Sequence, residues 1–145
     1  MTRPPVPQGN YVAAKRHGDL VHTSGMTPRD NGVLMFTGRV NPGAPVESYQ
    51  AAVELATKNA LTSARLLLAP HERVAGVLSL TVYIAAESEF TAHARLADFA
   101  SAYLQGEIGD EGIGCRAAIG VASLPGNAPV EIQLIAIVAS HQFLP

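Results

Sequence analysis

Between Val46 and Leu67 apolar residues recur at every third or fourth position: Val46, Tyr49, Val53, Ala56, Ala60, Ala64 and Leu67 line one side, and Gln50, Glu54, Lys58, Thr62 and Arg65 mark another. The pattern predicts an amphipathic helix over 46–69. Pro45 suits its start, Glu47 favours the positive end of its dipole, and Pro70 stops it. From Val77 to Ala85 the period drops to two, which predicts a strand with Leu78, Leu80, Val82 and Ile84 on one face and Ser79, Thr81 and Tyr83 on the other. Helical spacing returns over 89–105, with Phe90, Leu96, Phe99, Ala100, Tyr103 and Leu104 as packing positions. A loop carrying glycines at 106, 109, 112 and 114 follows.

Two strand-like runs, Cys115–Ala122 and Pro129–Val138, flank the turn Ser123–Ala128. In the second run Val130, Ile132, Leu134, Ala136 and Val138 share the face expected to meet the helices, and Glu131, Gln133, Ile135 and Ile137 share the other. In the first, Ala117, Ile119 and Val121 form an apolar set. Arg116, Ala118 and Gly120 then point away, beside Glu131 and off the helices, with room for a ligand.

Upstream, Pro4, Pro5 and Pro7 predict an extended arm over about 1–8. Val12–Arg16 and Leu20–Ser24 read as a hairpin around His17-Gly18-Asp19, and Asp30-Asn31-Gly32 is a turn before a short strand at 33–36. The order ββ(β)αβαββ predicts one α+β domain over 1–145, with a sheet carrying both helices on one face. Tyr83, Ile135 and Ile137 leave the second face too apolar for water. Self-association would cover them and place Arg116 and Glu131 at or near a subunit boundary.

Composition narrows the function. The chain has 145 residues, 48% hydrophobic and 15% charged, with net charge −2 and no basic run, so an electrostatic footprint for nucleic acid is missing. No apolar stretch matches a signal peptide or a membrane span, and the single cysteine fits a reducing compartment, so the cytoplasm is expected. Cys115 reads as a core thiol pointing away from Arg116. The five histidines show no metal-binding spacing, Gly112–Ala117 lacks the strand-to-helix context of a dinucleotide cradle, and Ser24 has no His/Asp partners for a hydrolase triad. No metal or cofactor is expected.

Arg116 and Glu131 are the charges that need explaining among apolar neighbours. The residues alone leave two readings open. One is an ordinary salt bridge or two exposed strand-end charges. The other is a carboxylate clamp, since a guanidinium offers paired donors, beside a glutamate able to hold a water.

Gly9-Asn10-Tyr11, Gly18–Gly25, Asn59-Ala60-Leu61, Cys115–Pro125 and Ala128–Ile132 resemble the Rid family of reactive intermediate deaminases, also called the YjgF family, over nearly the whole chain. The resemblance implies a chorismate-mutase-like α+β fold and a homotrimer with three inter-subunit clefts. It further implies hydrolysis of 2-imino acids or their enamine tautomers to 2-oxo acids and ammonia without metal or organic cofactor. Arg116 matches the family's carboxylate clamp and Glu131 its water-positioning glutamate, while Tyr11 and Ser24 match residues lining the cleft. Two departures, Ala118 in place of a cysteine and no asparagine between Phe90 and Leu104, place the chain nearer a longer Rid-like branch. A non-catalytic small-carboxylate binder and a pathway-specific hydrolase of a larger enamine are the alternatives on the same scaffold.

Overall fold

A computed structural model describes residues 3–140. The chain begins as an extended arm and enters the hairpin β1 (Ala14–His17) and β2 (Leu20–Thr23), whose turn places Gly18 at φ +61°, where a side chain would be strained. A two-residue pair follows, β3 (Arg29–Asp30) and β4 (Val33–Leu34). The first helical segment is a 3₁₀ turn at Val46–Tyr49 running into α1 (Gln50–Arg65). It is followed by β5 (Glu72–Ala85), α2 (His93–Ile108), β6 (Cys115–Val121) and β7 (Val130–Ser140).

The main sheet has the order β1-β2-β7-β5-β6. Only β5 and β6 run parallel, and α2 makes the crossover that a parallel pair requires. The other neighbours are antiparallel, with β7 at the centre. Both helices pack on one face, α1 over β7 and β2, α2 over β5 and β6, and they also pack on each other. This is the α+β fold with a mixed sheet that the resemblance implies.

The core follows the β7 alternation as expected: Val130, Ile132, Leu134, Ala136 and Val138 are buried beneath the helices. Ala52, Ala56, Ala60 and Ala64 form a small-residue stripe at i+4 on α1, no more than 1% exposed. Two polar residues enter this core satisfied, because Thr57 and Ser63 donate to the carbonyls of Val53 and Asn59 four residues back, at 2.7 and 2.9 Å.

Three sequence expectations are corrected here. Helix α1 ends at Arg65, and Leu67 lies beyond it, 39% exposed. Strand β5 begins at Glu72 and carries irregularities at Val74/Gly76 and Val77/Ser79. The second rephases the strand, so Val77 and Leu80 are both buried while Leu78 is 44% exposed on the opposite side. Finally, the apolar set of β6 faces away from the helices: Ile119 is 42% exposed and Cys115 is exposed, not a core thiol. The parallel pairing of Leu80, Val82 and Ile84 with Arg116, Ala118 and Gly120 fixes this, since paired residues share a face.

Candidate functional site

Glu131 stands on the sheet face left open by the helices, opposite Tyr83 on β5. Mutual hydrogen bonds between Met26 and Ile132, at 2.7 and 2.8 Å, bring Gly25 alongside it. The carboxyl group rests on the Gly25 backbone; a methyl group at position 25 would come within 2.7 Å of Cδ and closer still to Oε2. Its side chain accepts no hydrogen bond among the described residues, and burial pushes its pKa above the usual glutamate value. A carboxylate so placed is a ready acceptor for a proton from water.

Ser24, next to Gly25 in the chain, and Tyr11, which shares a cavity with Gly25, are occupied with local structure. The Ser24 hydroxyl donates to Val12 O at 2.6 Å, and its amide donates to Ala13 O, which fastens the start of the hairpin. Tyr11 accepts from the Gln8 amide at 3.0 Å through its hydroxyl and so anchors the arm. Tyr11 and Gly25 both line a cavity of about 610 Å³ between the arm, the β3–β4 turn and α1. Neither Arg116 nor Glu131 lines it.

Arg116 is elsewhere. Its side chain projects from the edge strand β6 toward α2, where Nη1 donates to Asp98 Oδ1 at 2.7 Å and Ser101 Oγ at 3.1 Å, and Nη2 donates to Ala94 O at 3.4 Å. The expectation that Arg116 and Glu131 share one face is therefore wrong within a protomer: Arg116 lies on the helix side and Glu131 on the open side. The error came from treating the apolar residues of an edge strand as its inward set. An Arg116–Glu131 salt bridge is likewise not formed; the arginine's acid is Asp98. The room expected beside Gly120 is also filled, since a Cβ there would lie 2.7 Å from His93 Nε2. Ala118 packs against the core.

Sequence reasoning missed Asp98 and Ser101, although Ala94, Asp98 and Ser101 sit at i, i+4 and i+7 on one stripe of α2. Polar positions on the helix stripe facing the edge strand were the available signal. It also assigned no structural task to Asn59, which is 5% exposed and donates from Nδ2 to Thr27 O and Arg29 O at 3.1 and 2.8 Å. That contact fixes the segment leading from Gly25 into β3. No helix among the described residues is long and apolar enough to cross a membrane.

A five-stranded mixed sheet with two helices on one face, and with its candidate charges divided between faces, defines a chorismate-mutase-like α+β protein. A family described as Endoribonuclease L-PSP matches residues 1–138, and the chain belongs to this family, which is the YjgF or Rid family. Protein TCP17 of Trypanosoma cruzi is 30% identical over 130 residues, covering 89% of this chain and 81% of that protein. A crystal structure of a protein of unknown function from Agrobacterium tumefaciens is 33% identical, with a TM-score of 0.81 over 90% of this chain and 83% of that one. TdcF of E. coli, solved with bound serine, shares the fold at 24% identity, with a TM-score of 0.64 over 93% of each chain.

Proposed function

We propose that the protein is a cofactor-independent cytoplasmic hydrolase of 2-imino acids or their enamine tautomers, with Arg116 as carboxylate clamp and Glu131 as proton acceptor. The observation that carries this reading is the Glu131 carboxylate, partly buried on the Gly25 backbone without a hydrogen-bond partner among the described residues. Glu131 would take a proton from a water whose oxygen adds to the imine carbon, giving a tetrahedral carbinolamine. Counted from the protonated imine, return of that proton to the amino nitrogen makes ammonia the leaving group, and the C–N bond breaks as the hydroxyl proton passes to Glu131 and the C=O bond forms. Imine carbon is electrophilic already, so alignment of water and substrate can supply much of the rate enhancement.

Because one sheet separates Arg116 from Glu131, both can reach a single substrate only if they come from different protomers. The exposed apolar residues on the open face, Leu78 and Ile119, favour such an assembly. A homotrimer with three inter-subunit clefts is the form the resemblance implies. The family description names an endoribonuclease, but a net charge of −2 gives no electrostatic support for RNA.

The test is oxo-acid formation from 2-iminopropanoate and 2-iminobutanoate generated in situ. Arg116→Ala should abolish acceleration while leaving the oligomer folded, and Glu131→Gln should keep carboxylate binding but slow turnover. Exchanging subunits between the two variants should bring activity to about a quarter of wild type, above either variant alone, because half of the arginines meet half of the glutamates. No recovery in demonstrably mixed oligomers would reject a shared site. Carboxylate binding without turnover of any imine would favour the non-catalytic binder, and turnover of a large enamine alone the pathway-specific hydrolase.

A further inference from the structure

The ion pair that holds Arg116 deepens this reading and rests on it, because the acid already beside the clamp limits which carboxylates can join it. Asp98 and Ser101 occupy Nη1, and Ala94 O lies at the far reach of Nη2. Nε donates to nothing among the described residues, so the Nε–Nη2 edge is the one left for a planar, bidentate carboxylate. A ligand bound there has Asp98 on the opposite side of the same guanidinium, well inside a Debye length of roughly 8 Å. Arg95, on the same helix, pairs with Glu47 at 3.3 Å.

Charge counting then separates ligand classes. Arg116 and Asp98 together are neutral and the ionised Glu131 of the neighbouring protomer adds one negative charge, so a monocarboxylate brings the shared site to two negative charges and a dicarboxylate to three. The geometry points to Asp98 as the residue that sets the charge class of the ligand: the site takes monocarboxylates with an uncharged remainder and turns away dicarboxylates. The side chain of Asp98 is 67% exposed and that of Arg116 24%, so the pair is loose enough for an incoming carboxylate to share the guanidinium. Ser101 Oγ, independent of Asp98, keeps Arg116 oriented when that charge is removed.

Wild-type protein and the Asp98→Asn and Arg116→Ala variants should be compared on 2-iminobutanoate and 2-iminobutanedioate, each generated by the matching amino-acid oxidase. Wild type should prefer the monocarboxylate by about two- to fivefold in kcat/KM, the range expected of one exposed charge. Asp98→Asn should raise the monocarboxylate value about two- to fivefold, the range expected of an exposed charge pair, and the dicarboxylate value further. Arg116→Ala should lose both. An unchanged preference in Asp98→Asn, with turnover intact, overturns the charge filter and leaves the deaminase reading standing. If wild type hydrolyses neither imine, the deaminase reading fails, and calorimetric titration with 2-oxobutanoate and 2-oxobutanedioate reads the filter directly. A Kd ratio that narrows in Asp98→Asn, with both acids lost in Arg116→Ala, supports it; an unchanged ratio, or binding of neither acid, overturns it.

Discussion

Gly25→Ala should cost activity far more than stability. The backbone at Gly25 is outside the left-handed region, so alanine meets no conformational penalty there. The new methyl would instead lie 2.7 Å from Glu131 Cδ and 3.0 Å from Cγ, against an ordinary carbon–carbon contact of about 3.5–4.0 Å, so the carboxyl end must retreat by about 1 Å. It is the tip of a flexible side chain and accepts no hydrogen bond among the described residues, so the fold should lose no more than about 1 kcal/mol. A proton acceptor misplaced by about 1 Å, however, can cost about a hundredfold in rate.

The assay is kcat for imine hydrolysis alongside thermal unfolding, with the pH profile as a second readout. Burial raises the Glu131 pKa, and a proton acceptor must be ionised, so the acid limb of wild-type kcat/KM should lie above the ordinary glutamate value. A carboxylate pushed off the Gly25 backbone loses part of that desolvation, and the limb should move down in Gly25→Ala. A kcat within about twofold of wild type at unchanged Tm would refute the assignment of catalytic placement to this contact.

Two further outcomes follow from the packing. Asn59→Ala should destabilise the fold by about 1–3 kcal/mol, since it removes two hydrogen bonds, to the carbonyls of Thr27 and Arg29, and leaves the Thr27 carbonyl only the Arg29 amide; calorimetric unfolding checks this. Glu72 accepts from Arg16 Nη1 and Nη2 at 2.6 and 2.8 Å and from the Ala69 amide at 2.8 Å. The Arg16 hydrogen bonds first, then the Ala69 amide, hold its pKa at about 2, below the ordinary 4.5. A depressed carboxylate pKa stabilises the fold fully above the unfolded value, and the gain is lost as pH falls through the folded one. The advantage of wild type over Glu72→Gln in urea unfolding should therefore be constant above about pH 4.5 and shrink toward pH 2; an advantage that grows on acidification would contradict this.

The fold was legible where periodicity had a buried face to report. β7 alternates cleanly because it is the central strand with helices on one side, and α1 shows its stripe because that stripe meets the sheet. Legibility failed at the edge and at the bulge. On β6 the apolar residues Ala117 and Ile119 look inward by composition but face outward, and on β5 a register shift breaks the alternation at Leu78. A period of two says which residues share a face; it does not say which face meets the helices when both carry apolar residues.

By itself, the sequence determined the order of the main-sheet strands and the two helices, though not the two-residue strand Arg29–Asp30, together with the two-helix α+β class, the family and the identity of Arg116, Glu131, Tyr11 and Ser24 as candidates. These depend on local spacing and on short blocks of residues, which the chain carries in its order. Tertiary structure alone decided that Arg116 turns toward Asp98 and Ser101 while Glu131 settles on Gly25 across the sheet. The physical reason is register: the parallel pairing of β6 with β5, and the Met26–Ile132 bridge, are long-range contacts that set where each side chain points.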